Sequence, residues 1–237
     1  MESRRIFYQV THLTTRWSGT LALLSAEALA GPTRGDEMRS ILAVPSRQRR
    51  DEFLTAVARS RELHRHWASP PRTVEAFEAY LKRIKKPAYV GYWVRTDANE
   101  LVGVININEI VRGTFLSGYL GYYAFVPHNG RGYMTAGLRT VVSQAFRELR
   151  LHRLEANIQP DNEPSRRLVQ RLGFRYEGFS PRYLKVGGRW RDHERWALTA
   201  EEWLSRTNVA GEYAVPPDRG PVGVLSERVR VRSGHGA

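Results

Sequence analysis

Two glycines around one basic residue, Gly130-Arg131-Gly132, are the residues whose type and spacing first suit chemistry in this chain. They follow an apolar, aromatic run, GYLGYYAFV at 118–126, that stops at Pro127, and a helical pattern starts directly after them. The junction therefore reads as a strand, a glycine turn and a helix N-terminus. Backbone N–H groups at such a point lack a partner inside the helix, and the helix dipole adds roughly half a positive charge. Together they can hold a phosphate or pyrophosphate, and glycine lets the anion approach the main chain closely. No Gly-Lys-Ser/Thr follows, so this is not a Walker loop, and the full G-x-G-x-x-G fingerprint is absent as well. Nucleotide hydrolysis and hydride transfer are poor fits.

Further candidate groups lie downstream. Asn162 and Ser165 fall in the segment Asp161-Asn162-Glu163-Pro164-Ser165, and Asp192-His193 lies near the end of the strand pattern. No G-x-S-x-G nucleophile elbow accompanies that pair, so a hydrolase triad is rejected and the pair is expected to order the last hairpin.

These residues need elements to position them. Phe53, Leu54, Val57 and Leu63 recur at helical spacing, which predicts one amphipathic helix ending near Trp67. A second is predicted over 73–84, with Lys85-Lys86-Pro87 as its stop. Strands are predicted at 39–44, 88–95, 100–110, 118–126 and 152–159, the second and third joined as a hairpin by the turn at 96–99. The helix from 134 is expected to bury Met134, Leu138, Val141, Val142, Ala145, Phe146 and Leu149 on one stripe. Asn162 suits the N-cap and Gly173 the C′ position of a short helix over 163–172. Two last strands, 174–186 and 189–198, meet at Gly187-Gly188. A domain over 39–206 is thus expected, after an N-terminal extension of uncertain structure at 1–38 that holds a candidate strand at 4–10 and helix at 20–30. Residues 207–237 read as a flexible basic tail.

That order, with an N-x-x-S before a helix closing on Leu172-Gly173-Phe174, resembles the GNAT acetyltransferase superfamily. The segments SRELHRHW (60–67), IVRGTF (110–115), YLGY (119–122), GRGYMT (130–135), RLGF (171–174) and GRWRDH (188–193) resemble its RimJ/RimL branch, which acetylates the N-terminal alanine of a ribosomal protein. The resemblance implies an α/β (α+β) GNAT fold: a mixed, largely antiparallel sheet, splayed between its fourth and fifth strands and flanked by helices. It implies acetyl-CoA as cosubstrate and no metal. The family's pyrophosphate motif, Gln/Arg-x-x-Gly-x-Gly/Ala, falls on Asn129, Gly132 and Met134, and only Gly132 matches; Gly130, Arg131, Tyr133 and Thr135 complete the turn. Main-chain groups at Phe125 and Val126 are expected to pair with the pantetheine amides and to polarise the thioester, and Asn162 to hold the arm. Ser165 is the implied general acid. Related enzymes carry a glutamate where this chain, like the RimJ type, has Tyr119; Tyr119 stands as a catalytic candidate by that position, with Glu109 as the first candidate base and Glu155 as the second. His64, His66 and Trp67 are expected to line the acceptor site.

Acetyl transfer needs an amine that has lost its proton, a polarised carbonyl and a protonated leaving thiolate. An α-amine titrating near 7.7–8.0 is about one-tenth neutral at pH 7, so a modest base suffices, whereas a lysine near 10.4 is far harder to deprotonate. The expected reaction is therefore direct transfer to a protein N-terminal α-amine, alanine of a small-subunit ribosomal protein. Two other readings stand beside it: transfer to a small amine such as an antibiotic or polyamine, and a catalytically impaired GNAT domain that binds RNA or the ribosome.

Composition agrees with these readings. The 237 residues suffice for one substantial core. Cysteine is absent, which removes disulfides and thiol nucleophiles and fits a cytoplasmic setting. No apolar run reaches membrane-helix length, and the short one at 18–32 is interrupted by Glu27, so neither a membrane span nor a signal sequence is expected. A net charge of +13, from 37 Lys+Arg against 24 Asp+Glu, favours acidic partners, including RNA and a ribosome surface. A monomer or a homodimer is compatible with the sequence.

Overall fold

The computed structural model describes residues 40–65 and 67–208. The candidate strand at 4–10, the candidate helix at 20–30, His66 and residues 209–237 of the basic tail lie outside the described residues. In chain order the elements are β1 (Ile41–Ala43), a 3₁₀ turn (Arg47–Arg49), α1 (Arg50–Arg59), α2 (Arg61–His64) and α3 (Val74–Arg83). Then come β2 (Val90–Arg95), β3 (Leu101–Val111), β4 (Ser117–Ala124), α4 (Tyr133–Arg147), β5 (Arg153–Ile158) and α5 (Glu163–Leu172). The chain ends its described part with β6 (Arg175–Val186), β7 (Arg189–Thr199) and α6 (Ala200–Asn208).

Seven strands form one sheet in the order β1-β2-β3-β4-β5-β7-β6. Every neighbouring pair is antiparallel except β4 and β5. That parallel pairing is short, running from Ser117 opposite Arg153 to Leu120 opposite Ala156. Beyond it β4 continues against β3 as far as Ala124, and β5 continues against β7 as far as Ile158. The sheet is therefore joined at one end of these two strands and open at the other, the splay expected from the sequence.

Both faces of the sheet are covered, because each flanking helix has one apolar stripe to bury. On one face Phe53 and Val57 of α1 and Phe77, Tyr80 and Leu81 of α3 pack with Trp93, Val104 and Phe125. On the other, Leu138, Val141, Val142 and Phe146 of α4 and Val169 and Leu172 of α5 pack on Ile105, Ile107, Leu154 and Leu198. Buried Arg95 ties the β2–β3 hairpin to α1, placing Nη2 2.5 Å from Glu52 Oε1 and Nε 2.6 Å from Asn99 Oδ1.

Two elements differ from the sequence reading. The single helix expected from residue 51 to Trp67 is broken at Ser60, where the backbone leaves helical geometry and the hydroxyl turns outward to accept the N–H of Val126 at 3.1 Å. The helix α6 was not expected. It begins on a reciprocal cap: the N–H and hydroxyl of Thr199 both donate to Glu202 Oε2, at 2.8 and 3.1 Å, while the N–H of Glu202 points back to Thr199 Oγ1. Trp203 anchors it in the α4 core and donates Nε1–H to Ser143 Oγ at 3.2 Å. Trp203→Ala is expected to cost about 3–5 kcal/mol, the range for truncating a buried aromatic. Urea unfolding followed by circular dichroism measures it, and a loss below about 1 kcal/mol would mean that α6 is peripheral.

Candidate active site

The glycine turn has the conformation its chemistry requires. Gly130 and Gly132 have φ of +76° and +89°, in the left-handed region that side chains resist, and Gly132 is the N-cap of α4. The N–H groups of Thr135 and Ala136 both return to the Gly132 carbonyl, at 2.9 and 3.1 Å. Those of Tyr133 and Met134, one step earlier, project from the helix start by ordinary helix geometry. Asn129, Gly130 and Arg131 are exposed around them. Met134, where the family motif has a small residue, turns its side chain inward over Gly103, whose missing Cβ makes the room. The departure from the motif thus leaves the main-chain donors in place.

A cavity of about 600 Å³ lies at the splay, lined by residues 120–123 of β4 and 156–158 of β5. Tyr122, Asn162 and Ser165 line it. Asn162 Oδ1 caps α5 by accepting the N–H of Ser165 at 3.3 Å, which fixes the first turn and aims the serine. Ser165 Oγ lies 2.7 Å from the Tyr122 hydroxyl. Desolvation pushes that phenol up to about 12, and the serine contact pulls it only partly back.

The expectation for Phe125 and Val126 needs correction. The Phe125 N–H is held by the Val102 carbonyl at 2.7 Å and the Val126 N–H by Ser60 Oγ at 3.1 Å, so neither is available to a pantetheine amide or a thioester oxygen. The ring of Phe125 is core. The ladder itself says which groups replace them. Because Phe125 bonds Val102, the pairs Ala124–Gly103 and Tyr122–Ile105 are the non-bonded pairs of the β3–β4 ladder. Their main-chain groups point away from β3, toward the open side. The Ala124 carbonyl accepts from His64 Nε2 at 2.8 Å, which leaves Tyr122 to present its peptide groups to the splay.

On the acceptor side the cavity is walled by Trp67, Arg83, Tyr89, Asn106, Asn108, Glu109, Lys185 and His193. Trp67 is among the lining residues. His64 is not: it is 3% exposed, stacks edge-on to Tyr123 and Phe125, and braces the end of β4 through its bond to Ala124. Glu109 lies on the cavity wall, in a bulge with φ of +49°, and accepts the Tyr89 hydroxyl at 2.5 Å. Glu155 does not reach the cavity, because Arg153 Nε holds it at 2.8 Å within a cluster that includes Glu177 and Arg175. Tyr119 lies opposite Glu155 in the register and turns toward Glu155 and Tyr183, also away from the cavity. Both are corrections to the candidate list.

Two residues that line the cavity went unassigned in the sequence. Tyr122 was one aromatic among several on β4. His193 was read only as an organiser of the hairpin, yet it is 3% exposed and lines the acceptor wall. Its Nδ1 lies 2.9 Å from the Arg191 carbonyl and must therefore carry the proton, which leaves the Nε2 lone pair unprotonated in the neutral ring. Burial lowers the imidazole below its ordinary value, with Asp192 pulling the other way.

The site fits a long, anionic carrier ending in an acyl group: outward amides at a helix start, a strand edge along the splay, and a hydroxyl pair deep in the cleft. Comparison with known proteins points the same way. The family described as acetyltransferase (GNAT) domain matches residues 39–175. The probable N-acetyltransferase YjcK of Bacillus subtilis is 36% identical over 50% of this chain and 66% of its own length. The [ribosomal protein uS5]-alanine N-acetyltransferase of Escherichia coli is 40% identical over 45% of this chain and 55% of its own. The chain thus spans between about half and two-thirds of these curated relatives. The solved structure of Mycobacterium smegmatis RimJ in complex with CoA-disulfide superposes with a TM-score of 0.64 at 27% identity, over 73% of this chain and 89% of that one. With more than half of its length matched by the family and its sheet splayed at the parallel pair, this chain belongs to the GNAT acetyltransferases.

Proposed function

We propose that this protein transfers acetyl from acetyl-CoA to the N-terminal α-amine of a protein, most specifically an alanine N-terminus of a ribosomal protein. The observation that carries the reading is the cavity that crosses the sheet at the splay, with a hydroxyl pair on one side and a neutral imidazole on the other. Among the described residues its acceptor half holds one carboxylate, Glu109, beside the cations Arg83 and Lys185. A polyamine needs several carboxylates, so this wall suits a monocationic α-amine better. The uS5-alanine relative supports the ribosomal substrate. A cytoplasmic setting follows from that substrate, and the basic composition supplies a means of contacting the ribosome.

Acetyl-CoA, when bound, supplies an activated acetyl thioester. The N–H groups of Tyr133 and Met134 and the Tyr122 main chain hold the carrier; Asn162 fixes the serine. His193 Nε2 takes the proton the amine releases as the N–C bond forms. The Tyr122–Ser165 pair gives a proton to the sulfur as the C–S bond breaks, the hydroxyl facing it drawing on the other, and the pair regains that one proton from solvent after the products leave.

The pH profile tests these roles. Both the acceptor amine, at about 7.7–8.0, and His193, below about 6.5, must be neutral, so log(kcat/KM) is expected to rise with unit slope up to the amine pKa and more steeply below the imidazole pKa. Lys185 and Tyr183 from β6, and Asp192 and the Arg191 carbonyl on its own strand, surround the ring. Tyr122, at about 12, stays protonated throughout, so no fall is expected on the alkaline side of an ordinary assay. In His193→Gln the steeper acid limb disappears and kcat drops about 10²-fold. An unchanged acid limb would remove His193 from proton transfer. The decisive assay is acetyl-CoA-dependent transfer to short peptides varied at the first residue, with N-blocked and lysine-containing controls. Acetylation of blocked peptides at lysine, or of small amines alone, would overturn the reading.

A further inference from the structure

A second depression lies beside the acceptor wall. It is a groove of about 730 Å³ between the segment 69–73, the outer side of α3 and the β6–β7 turn at Gly187. Among the described residues three arginines line it, Arg65, Arg72 and Arg83, and no carboxylate does. Arg83 also lines the acceptor cavity, so the two spaces adjoin at this side chain. That guanidinium is held between the rings of Tyr80 and Tyr89, 5.9 and 5.8 Å from their centroids. Tyr80 belongs to the groove wall, while its hydroxyl donates to Asn106 Oδ1 in the cavity at 3.2 Å. Arg65 leans on Glu62 at 3.3 Å, a pair in which both side chains are mostly exposed and which therefore leaves the guanidinium open to a better partner.

We propose that this groove takes the residues that follow the acetylated N-terminus and selects substrates with acidic side chains there. The inference rests on the N-terminal reading above and narrows its substrate class. An extended peptide whose amine lies in the cavity reaches this groove by passing Arg83, and its alternate side chains then face the same wall at about 6.6 Å intervals. Carboxylates at those positions meet Arg83, Arg72 and Arg65 in turn. Complementary charge of this kind acts on encounter and binding rather than on the chemical step. The preference belongs in KM and weakens with salt.

The test uses the full chain and three peptides that begin with alanine and carry glutamate, glutamine or lysine at positions two to five, with Arg65→Gln/Arg72→Gln as the variant. Both arginines are surface groups, so the variant tests charge without disturbing the core. The glutamate peptide is expected to show a KM about tenfold below that of the glutamine peptide, the lysine peptide a higher one, and the spread to fall to about twofold in the variant or at 0.5 M salt. Equal KM values for the three peptides overturn the inference and leave N-terminal acetylation standing, as does a preference that survives in the variant. A short RNA oligonucleotide that inhibits in an Arg72-dependent way, with no advantage for the acidic peptide, also overturns it by assigning the groove to phosphates. Transfer to none of the peptides removes the N-terminal reading, and this one with it.

Discussion

Tyr122→Phe is expected to lower kcat by about 10²–10³-fold while leaving CoA affinity within about threefold. The substitution removes one oxygen. It keeps the ring that packs against the α4 side of the core, and it keeps the peptide groups that β4 presents to the splay. What is lost is the hydroxyl 2.7 Å from Ser165, a partner that can return a proton to the serine or take its place. Ser165→Ala should be milder, about tenfold to 10²-fold, because the phenol remains and can address the sulfur directly. The double variant should resemble Tyr122→Phe rather than the product of the two, since groups that act as one unit are not additive. Single-turnover kinetics with a saturating peptide, alongside calorimetric titration with CoA, separate the two quantities. Full kcat in Tyr122→Phe would show that the pair is structural.

The second large effect is at the glycine turn. Gly132→Val should reduce CoA affinity at least 100-fold with little loss of overall fold. A β-branched residue at φ of +89° costs about 1–3 kcal/mol, and relief of that strain turns the first amides of α4 away from the ligand. Gly130→Ala separates strain from obstruction. A Cβ there meets nothing within 4 Å, so only the backbone penalty at φ of +76° applies, and a loss of about tenfold is expected. Equal losses would show that conformation alone matters at the turn. No loss at Gly132 would place the pyrophosphate elsewhere. Calorimetry with CoA reads both, and circular dichroism checks that α4 is retained.

Much of this architecture was legible because its signals are local. The helix after the glycine turn has a full apolar stripe, Asn162 and Gly173 bracket α5, and Gly187-Gly188 marks the last hairpin. Helix α6 was missed although Thr199-Ala200-Glu201-Glu202 is a capping box, because so short and charged a segment shows no stripe beyond Trp203 and Leu204. The break at Ser60 was illegible for the opposite reason: it is set by a bond to Val126, 66 positions away. The site divides along the same line. Asn162, Ser165 and Trp67 belong to motifs or element ends, and all three line the cavity. Tyr122, Tyr119 and Glu155 depend on which edge of a strand faces the splay and on which carboxylate an arginine has already claimed, and only the register of β3, β4 and β5 decides that. Phe125 and Val126 failed by one step of the ladder. His193 was hidden because its role comes from the carbonyl that fixes its tautomer.

The parallel seam between β4 and β5, only four residue pairs long, carries a consequence for the sheet as a solid. Its two halves are fastened to each other by main-chain bonds at one end only, so a molecule lying in the open end acts as a rivet across the gap. Occupancy and rigidity then become one equilibrium, and a ligand at 100 times its dissociation constant raises unfolding stability by about 2.7 kcal/mol. The expected result is an unfolding midpoint that rises with the concentration of the acetyl donor.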